Sequence, residues 1–233
     1  MRYTSLIKKE REKIFELFIE KEKLKFSDIE KALRIRSNMV SYHLQQMQKE
    51  NLIEKKGLHY LLTKQAERYL PLLSHITGKQ LSPLPVVLVA IANKNKILLL
   101  KRNKRPYQHY WGLIGGKMLL EESFAETAMR LVREKTGLLP KAISINSILH
   151  ERVEDNLIKH SFILFFMKAT VNQSTFKASA HGTLQWFPLK KIDKEKTIPS
   201  DLWLIQKKLN SKIPVTSAVM SDKEGVLSAF NIQ

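Results

Sequence analysis

The stretch Gly116-Lys-Met-Leu-Leu-Glu-Glu122-Ser-Phe-Ala-Glu-Thr-Ala-Met-Arg130-Leu-Val-Arg-Glu134-Lys-Thr-Gly137-Leu138 decides the fold of the second half of this 233-residue chain. Ser123 and Glu126 have the spacing of a capping box, in which each side chain satisfies a backbone N–H of the other residue. This pattern predicts a helix that begins at Ser123 and continues to about Lys135. Gly137 is typical of a left-handed C-cap, so the stretch indicates a loop, a helix and a second loop.

The spacing of Gly116, Glu122 and Arg130 resembles the Nudix box, the signature of a family of pyrophosphate-cleaving enzymes. The resemblance implies an α/β/α sandwich with a mixed sheet. It also implies helix carboxylates that hold Mg²⁺, which orients a diphosphate for attack by water. In addition, it implies an ion pair between Glu122 and Arg130 that fastens the loop to the helix.

The metal-binding part departs from the family pattern. Where the Nudix box has Arg-Glu-apolar-x-Glu-Glu, this chain has Arg-Leu-Val-Arg-Glu-Lys over residues 130–135. Leu131, Glu134 and Lys135 share one helix face, which therefore sums to zero charge instead of three negative charges. Because Mg²⁺ needs hard oxygen ligands, we expect a dismantled catalytic centre. Glu134 is the remaining candidate metal ligand, and Glu134 and Glu122 are the candidate catalytic residues if the chain is a Mg²⁺-dependent hydrolase.

The resemblance extends beyond the box, over about residues 83–210. Apolar runs at 85–92 and 97–102 predict strands, and Trp111-Gly-Leu-Ile-Gly-Gly-Lys117 and Gln185-Trp-Phe-Pro-Leu189 are similar to Nudix segments. An amphipathic helix is predicted from Pro199. No Asp or Glu occurs from 156 through 192, where some relatives place a further glutamate. We assign residues 85–212 to a Nudix-like domain.

The predicted pocket of this domain is basic. A fixed cation such as Lys135 binds phosphate but does not activate water as a divalent metal does. We therefore expect a nucleotide or nucleoside-diphosphate-type ligand that is bound and not cleaved. The alternatives are a solvated basic loop and aromatic residues that belong to the core. The predicted ligand-binding residues are Arg102, Arg105, Trp111, Gly115, Gly116, Lys117, Arg130 and Lys135.

Residues 1–77 have a different pattern: three predicted helices, an apolar hairpin about Gly57 and a closing helix. Ser27 with Glu30, Ser37 and Thr63 are the predicted helix caps. The segment from Ser37 to Lys56 resembles the recognition helix and wing of bacterial and archaeal winged-helix repressors, which implies a DNA-binding winged helix-turn-helix.

Short polar side chains on the third helix suit contacts with base edges, and cations beside it suit phosphates. His43 is interpreted as a packed histidine because no second metal ligand lies at a suitable spacing. The alternative is a winged helix that binds only protein. The predicted DNA-binding residues are Arg36, Ser37, Asn38, Ser41, Tyr42, Gln45, Gln46, Lys55, Lys56 and His59.

Composition limits the remaining possibilities. A net charge of +18 favours a polyanionic partner, although a lysine-rich proteome would also raise the charge. The absence of cysteine excludes disulfides and thiolate metal sites and fits a reducing cytoplasm. No apolar run reaches membrane-spanning length and no signal peptide is recognisable, so we expect a cytoplasmic protein without a membrane partner.

Together these features predict a two-domain α+β protein that regulates transcription. A winged helix (residues 1–77) binds double-stranded DNA, a linker follows (78–84), and the degenerate Nudix domain senses a ligand or mediates dimerisation. Residues 213–233 are predicted to form a hairpin that extends a sheet or a homodimer interface. An active Nudix hydrolase and a non-catalytic interaction protein remain as alternatives, and no cofactor is assigned apart from Mg²⁺ for the hydrolase.

Overall fold

A computed structural model provides the structure of the chain. It describes residues 8–67, 69, 82–105, 107–155, 157–177, 179–192, 196–223 and 226–232. The chain divides into two compact units, Met1–Ser82 and Pro83–Gln233, which are considered separately below. Within the described residues, no helix is both long and apolar enough to cross a membrane.

In the first unit, the described residues form four helices and a small antiparallel sheet in the order β1-β3-β2. Its core includes Ile14 and Phe15 from the first helix, Ile29 from the second and Leu44 from the third. The predicted closing helix is described only for its first turn, and its remainder lies outside the described residues. The elements are α1 (Lys9–Glu20), β1 (Lys23–Lys25), α2 (Phe26–Leu33), α3 (Ser37–Lys49), β2 (Ile53–Lys56), β3 (His59–Leu62) and α4 (Lys64–Glu67).

Two predicted helix caps of this unit are wrong, and one is confirmed. The helix α2 begins at Phe26, and its Asp28 carboxylate accepts a hydrogen bond from the backbone N–H of Lys25 at 3.0 Å, so Ser27 is not the cap. The Ser37 hydroxyl donates to the Glu30 carboxylate and does not cap α3. The Thr63 hydroxyl does accept from the backbone N–H of Ala66 at 3.1 Å, as predicted.

The second unit contains a seven-stranded mixed sheet whose main path is β10-β5-β4-β9-β8. The central pair β4 and β9 is parallel, and the other pairs are antiparallel. This arrangement confirms the predicted α+β fold with a mixed sheet. The elements are β4 (Leu84–Asn93), β5 (Lys96–Arg102), β6 (Trp111–Gly112), β7 (Ile114–Gly116), α5 (Phe124–Thr136), β8 (Ala142–Asp155), β9 (Leu157–Thr170), β10 (Gly182–Pro188), a short 3-10 helix (Leu189–Lys191) and α6 (Pro199–Lys208).

Helices cover both faces of this sheet. Successive residues of a strand point to opposite faces, so β4 contributes to two cores. Val87 and Val89 pack in one core with Leu131 and Val132 of α5. Leu88 packs in the other with Leu204 of α6, as part of a separate buried cluster. The sheet is therefore a middle layer between α5 and α6, as an α/β/α sandwich requires.

Helix α5 has the caps that the sequence predicts. The Ser123 hydroxyl accepts from the Glu126 backbone N–H at 3.3 Å, and the Glu126 carboxylate accepts from the Ser123 backbone N–H at 2.8 Å. Gly137 follows the helix with φ +71°, a left-handed conformation that glycine adopts without strain. The two caps fix the ends of the helix and therefore the position of each side chain on it.

The C-terminal residues form a two-stranded antiparallel ribbon of β11 (Ala218–Lys223) and β12 (Val226–Ile232). Among the described residues, this ribbon is a sheet of its own and does not join the seven-stranded sheet. A β-bulge interrupts β12, where Ser228 and Ala229 together lie opposite the single residue Ser221 of β11.

Candidate functional site

Glu122 and Arg130 fasten the loop 117–123 to α5. Arg130 donates to both carboxylate oxygens of Glu122, through Nε to one and through Nη2 to the other at 2.8 Å. The same carboxylate accepts from the Leu119 backbone N–H at 3.0 Å and from the Thr127 hydroxyl at 2.9 Å. The hydrogen bonds from Arg130 are the main reason that the pKa of Glu122 falls to about 2. The predicted ion pair is confirmed, and it occupies Glu122 with structural contacts.

Leu131 belongs to the core and does not face a metal site. The Leu131 side chain is buried between α5 and the sheet, where it lies against Gly116 of β7. A side chain at Gly116 would collide with it, so the strand and the helix approach each other closely only because Gly116 has no Cβ. The position where the Nudix box has its first helix carboxylate is thus filled by a packed aliphatic side chain.

Lys135 lies on the same face of α5 as Leu131, and its side chain reaches β7. Its ammonium group donates a hydrogen bond to the backbone carbonyl of Gly115. Burial lowers the pKa of Lys135, and the nearby positive charge of Arg102 lowers it further. A protonated ammonium group has no lone pair to offer a metal ion. Lys135 therefore puts a positive charge at the position where the Nudix box has a carboxylate that binds the metal.

Glu134 turns away from Leu131 and Lys135. Its side chain is 57% exposed, and Arg130 Nη1 donates to its carboxylate at 3.4 Å. The predicted common face is therefore only partly correct: Leu131 and Lys135 face β7, whereas Glu134 faces solvent. Among the described residues, no three His, Asp or Glu side chains form a group that could hold a metal ion. One exposed carboxylate beside an ammonium group does not fit Mg²⁺, which prefers several oxygen ligands.

A cavity of about 180 Å³ lies on the opposite side of β7 from Leu131. Its wall is apolar and comes from β4, β9 and the loops before α6. Its polar groups come from four separate parts of the sequence. The apolar wall consists of Val86, Leu88, Leu113, Phe162, Leu164 and Ile198, and the side chains that carry polar groups are Arg102, Tyr107, Lys117, Glu151, Ser200 and Asp201.

Asp201 contributes a buried carboxyl group to this cavity. It lies in the first turn of α6, and its Oδ2 accepts from the Leu113 backbone N–H at 2.7 Å. Burial raises its pKa to about 7, and the negative charge of Glu151 adds to this effect. Gly112 makes room for it, because a Cβ there would lie 2.7 Å from both Oδ2 and the Ile198 side chain.

Tyr107 and Glu151 form a second polar contact in the cavity. The Tyr107 hydroxyl donates to Glu151 Oε1 at 3.1 Å, and burial is the main reason that the pKa of Tyr107 is raised. Tyr107 has φ +61°, a left-handed conformation that is strained for a residue with a side chain. Arg102 lines the same cavity, and its Nε is buried without a hydrogen-bond partner among the described residues. Such a group is suited to an acceptor on a ligand.

The structure brings together only part of the predicted ligand site. Arg102, Gly115, Gly116 and Lys117 line the cavity. Four predicted residues do not line it: Lys135 donates to the Gly115 carbonyl, Arg105 is exposed in the loop after β5, Arg130 is paired with Glu122, and the Trp111 ring packs edge to face against Phe187.

The acidic side of the cavity was not predicted. Glu151 lies within β8, and Asp201 was interpreted only as part of an amphipathic helix. The available signal is an acidic residue two positions after Pro199, at the start of the predicted helix, yet nothing in the sequence indicates that Leu113 would meet it 88 residues away.

Comparison with known proteins agrees with this geometry. A family model described as NUDIX domain matches residues 82–207, which is more than half of the chain. The chain belongs to the Nudix family. A relative from Methanocaldococcus jannaschii, named ADP-ribose pyrophosphatase, is 40% identical over 55 residues, which are 24% of this chain and 32% of the relative. The similarity to that relative therefore spans about a third of its length.

Solved structures of Nudix proteins are similar to the same part of the chain. The MutT NUDIX hydrolase of Burkholderia pseudomallei is 20% identical with a TM-score of 0.49, and the similarity covers 54% of this chain and 98% of that one. The NUDIX domain of Shewanella oneidensis NrtR, crystallised with ADP ribose, is 22% identical with a TM-score of 0.49, covering 62% of this chain and 96% of that domain.

Outside the Nudix domain, α3 presents a polar face to solvent. Asn38, Tyr42 and Gln45 are exposed at helical spacing, and Ser41 and Gln46 are half-buried beside them. Ser37 is exposed, but its hydroxyl is bonded to Glu30. The opposite face of α3 is buried and contains Val40, His43, Leu44 and Met47.

The cations predicted to contact phosphates lie on the hairpin β2–β3 and before α3. Arg36, Lys55 and Lys56 are exposed, and His59 is half-buried. Lys56 forms an ion pair of 2.7 Å with Glu54, which leaves Lys55 as the stronger candidate on β2. His43 is buried with no hydrogen-bond partner at either ring nitrogen among the described residues, and burial lowers its pKa. It is a packed neutral histidine, as predicted.

Proposed function

We propose that this protein is a transcriptional regulator that binds double-stranded DNA and whose Nudix domain binds a nucleotide or nucleoside-diphosphate-type ligand without cleaving it. The observation that carries the ligand part is Arg102, which lines the cavity and whose Nε is buried without a hydrogen-bond partner among the described residues. Lys135 supports binding without cleavage, because its ammonium group, hydrogen-bonded to the Gly115 carbonyl, repels the divalent metal that hydrolysis requires. The Nudix domain is then a sensor with the family's fold.

The charges around the cavity favour one orientation of the ligand. Glu151 and Asp201 repel phosphate from their part of the cavity, whereas Arg102 and Lys117 attract it. We therefore place the phosphates beside Arg102 and Lys117. The uncharged base or sugar enters between the apolar walls, where the Asp201 carboxyl is able to donate or accept a hydrogen bond at neutral pH.

The DNA-binding part is supported by the first unit. The polar face of α3 lies in the same unit as the exposed lysines of β2, and this combination matches base contacts from a helix with phosphate contacts from a hairpin. Because α3 itself carries few cations, a homodimer with two recognition helices remains part of the proposal. We assign DNA binding to residues 1–77, a linker to 78–84, ligand binding to 85–212 and an extension to 213–233.

A calorimetric titration with ADP, in the absence of metal, tests the ligand proposal. We expect binding, and we expect Arg102→Met to weaken it at least tenfold because Arg102 lines the cavity. The matched control is Arg105→Met, which removes the same charge three residues further along the chain, in the loop after β5 and outside the cavity. Equal losses in both variants, or no binding of ADP or ADP-ribose by the wild type, would contradict the proposed site.

An active Nudix hydrolase is the second candidate, and the 55-residue similarity to a protein named ADP-ribose pyrophosphatase favours it. In that case Glu134 and Glu122 would be catalytic, with Mg²⁺ as the cofactor. A phosphate-release assay with magnesium and nucleoside diphosphate derivatives separates the two candidates. Turnover that is abolished in Glu134→Gln would establish the hydrolase.

A further inference from the structure

One end of the second unit brings together segments that are rich in lysine. The strands β4 and β9 are parallel, and their neighbours β5 and β8 run antiparallel to them, so the carboxyl ends of the first pair meet the amino ends of the second. Asn93 therefore lies opposite Lys96, and Thr170 lies opposite Ala142. The end of α6 and the residues after it are held at the same place by three hydrogen bonds from the Asn146 amide.

We call the four segments that meet there, 92–97, 141–146, 168–173 and 207–213, the basic end. They contain seven lysines and no aspartate or glutamate. The whole chain has 22 Asp and Glu for 40 Lys and Arg, more than one acidic residue for every two cations, so a general excess of lysine does not account for this segregation. The lysines are Lys94, Lys96, Lys141, Lys168, Lys207, Lys208 and Lys212.

Two recesses of about 560 and 270 Å³ open at the basic end. They share four lining residues, among them Lys168 and Asn210, and therefore form one continuous groove. Lys94 lines the larger recess, Lys212 lines the smaller one, and Lys168 lines both. Among the described residues, the groove has no acidic and no aromatic side chain in its lining.

The charges of the three groove lysines are not neutralised by the surrounding protein. The Lys168 ammonium group donates to Asn210 Oδ1 at 3.0 Å, and an amide oxygen carries no net charge. Lys94 and Lys212 are exposed. In the described part of the chain, no carboxylate forms an ion pair with any of the three. The groove is therefore a line of positive charge that faces solvent.

We propose that the basic end binds the phosphate backbone of double-stranded DNA, with Lys94, Lys168 and Lys212 as phosphate contacts. Several uncompensated cations along one groove suit a polymer with a phosphate at each repeat. Proteins that bind single strands add aromatic side chains on which unpaired bases stack, and the groove offers none. A duplex keeps its bases paired and presents the phosphates alone, which matches the lining.

The groove is distinct from the ligand cavity. The cavity is lined by Val86 and Leu88 in the first half of β4 and by Phe162 and Leu164 near the start of β9, whereas the groove lies where both strands end. Lysines of the groove can therefore be replaced without altering the cavity. The inference rests on the proposed binding of duplex DNA, and it adds a contact surface in the Nudix domain to the one proposed in the first unit.

The salt dependence of DNA binding by the full chain tests this surface. Fluorescence anisotropy on random-sequence duplex gives the slope for the wild type and for Lys94→Gln/Lys168→Gln/Lys212→Gln. Each phosphate contact contributes about 0.9 to the slope, so we expect the triple variant to have a slope shallower by about two to three. Glutamine at position 168 can still donate to Asn210, and circular dichroism checks that the variant is folded.

The matched control is Lys101→Gln/Lys141→Gln/Lys177→Gln. It removes the same number of charges from exposed positions of the same unit that line neither recess, and its slope should equal that of the wild type. Vesicles of phosphatidylserine and phosphatidylcholine provide the second comparison, because a basic surface also attracts anionic lipid. We expect the groove substitutions to change the slope on DNA and to leave any vesicle binding unchanged.

The outcomes separate this inference from the proposed function. If the wild type responds to salt and Lys55→Gln makes its slope shallower, whereas the groove variant keeps the wild-type slope, the groove does not bind DNA and the first unit alone does. Equal changes in the groove variant and its control would also overturn the inference, as would a groove variant that loses only vesicle binding. A flat response of the wild type would overturn both proposals together.

Discussion

Asp201 combines a buried carboxyl group with a raised pKa. Its Oδ2 accepts a hydrogen bond from the Leu113 backbone N–H, but this one bond does not replace the water that burial removes. Water no longer solvates the ionised form, so the proton is held to about pH 7. The Asp201 carboxyl therefore serves two purposes: it accepts the hydrogen bond of Leu113 beside β7, and it brings to the cavity a proton that an exposed aspartate would already have lost.

Asp201 should make the Nudix domain less stable as pH rises. The unfolded chain ionises Asp201 near its ordinary pKa of 3.8, whereas the folded chain retains the proton to about 7. Stability is therefore lost between about pH 4 and pH 7 and stays low above that range. We expect Asp201→Asn, which can still accept from Leu113, to be more stable than the wild type at pH 8 by on the order of 3 kcal/mol, with little difference at pH 4.

Tryptophan fluorescence during denaturation measures this effect in the right unit, because Trp111, Trp186 and Trp203 all belong to the second unit. Glu154→Gln, at an exposed position on β8, is the control and should change little at either pH. If the stability gained by Asp201→Asn over the wild type is no larger at pH 8 than at pH 4, the raised pKa of Asp201 is contradicted.

At the level of elements, a local sequence pattern predicts a helix end correctly where no neighbouring residue could take the same capping role. The caps of α5 follow from Ser123, Glu126 and Gly137 because no other capping residue lies nearby. The start of α2 does not, since Ser27 and Asp28 are adjacent and the sequence alone does not decide which side chain takes the first free backbone N–H. The Asp28 carboxylate takes it, and its negative charge near a helix N-terminus is favourable.

The candidate site shows the same limit over longer distances. Gly115, Gly116 and Lys117 were predictable because they belong to one motif. Tyr107, Glu151 and Asp201 come from a loop, a long strand and the last helix of the sandwich, and only the packing of these elements brings them to one cavity. Trp111 was assigned to ligand binding from its residue type, although its partner in the fold is Phe187.

For the whole molecule, the excess of positive charge predicts that the proposed DNA binding is sensitive to salt. Cations that contact phosphates release counterions, so the logarithm of the binding constant falls with the logarithm of salt concentration, with a slope near −0.9 for each contact. We expect a clearly negative slope on random-sequence duplex, and Lys55→Gln should make it shallower by about one. Fluorescence anisotropy at several salt concentrations measures both slopes.

Lys141→Gln is the control for this experiment, because it removes an exposed lysine from the second unit and should leave the slope unchanged. A flat response of the wild type to salt would contradict DNA binding and favour a first unit that binds only protein. Equal changes in Lys55→Gln and Lys141→Gln would point to a general effect of charge.

Titration of magnesium into the wild type and into Leu131→Glu/Lys135→Glu, followed by calorimetry, tests the central claim most directly. The double variant restores two carboxylates beside Gly115 and Gly116, and circular dichroism checks that it is folded. We predict no specific binding by the wild type and measurable binding by the variant, because only the variant offers several oxygen ligands. Magnesium binding by the wild type, accompanied by phosphate release from a nucleoside diphosphate derivative, would contradict the account and identify a working hydrolase.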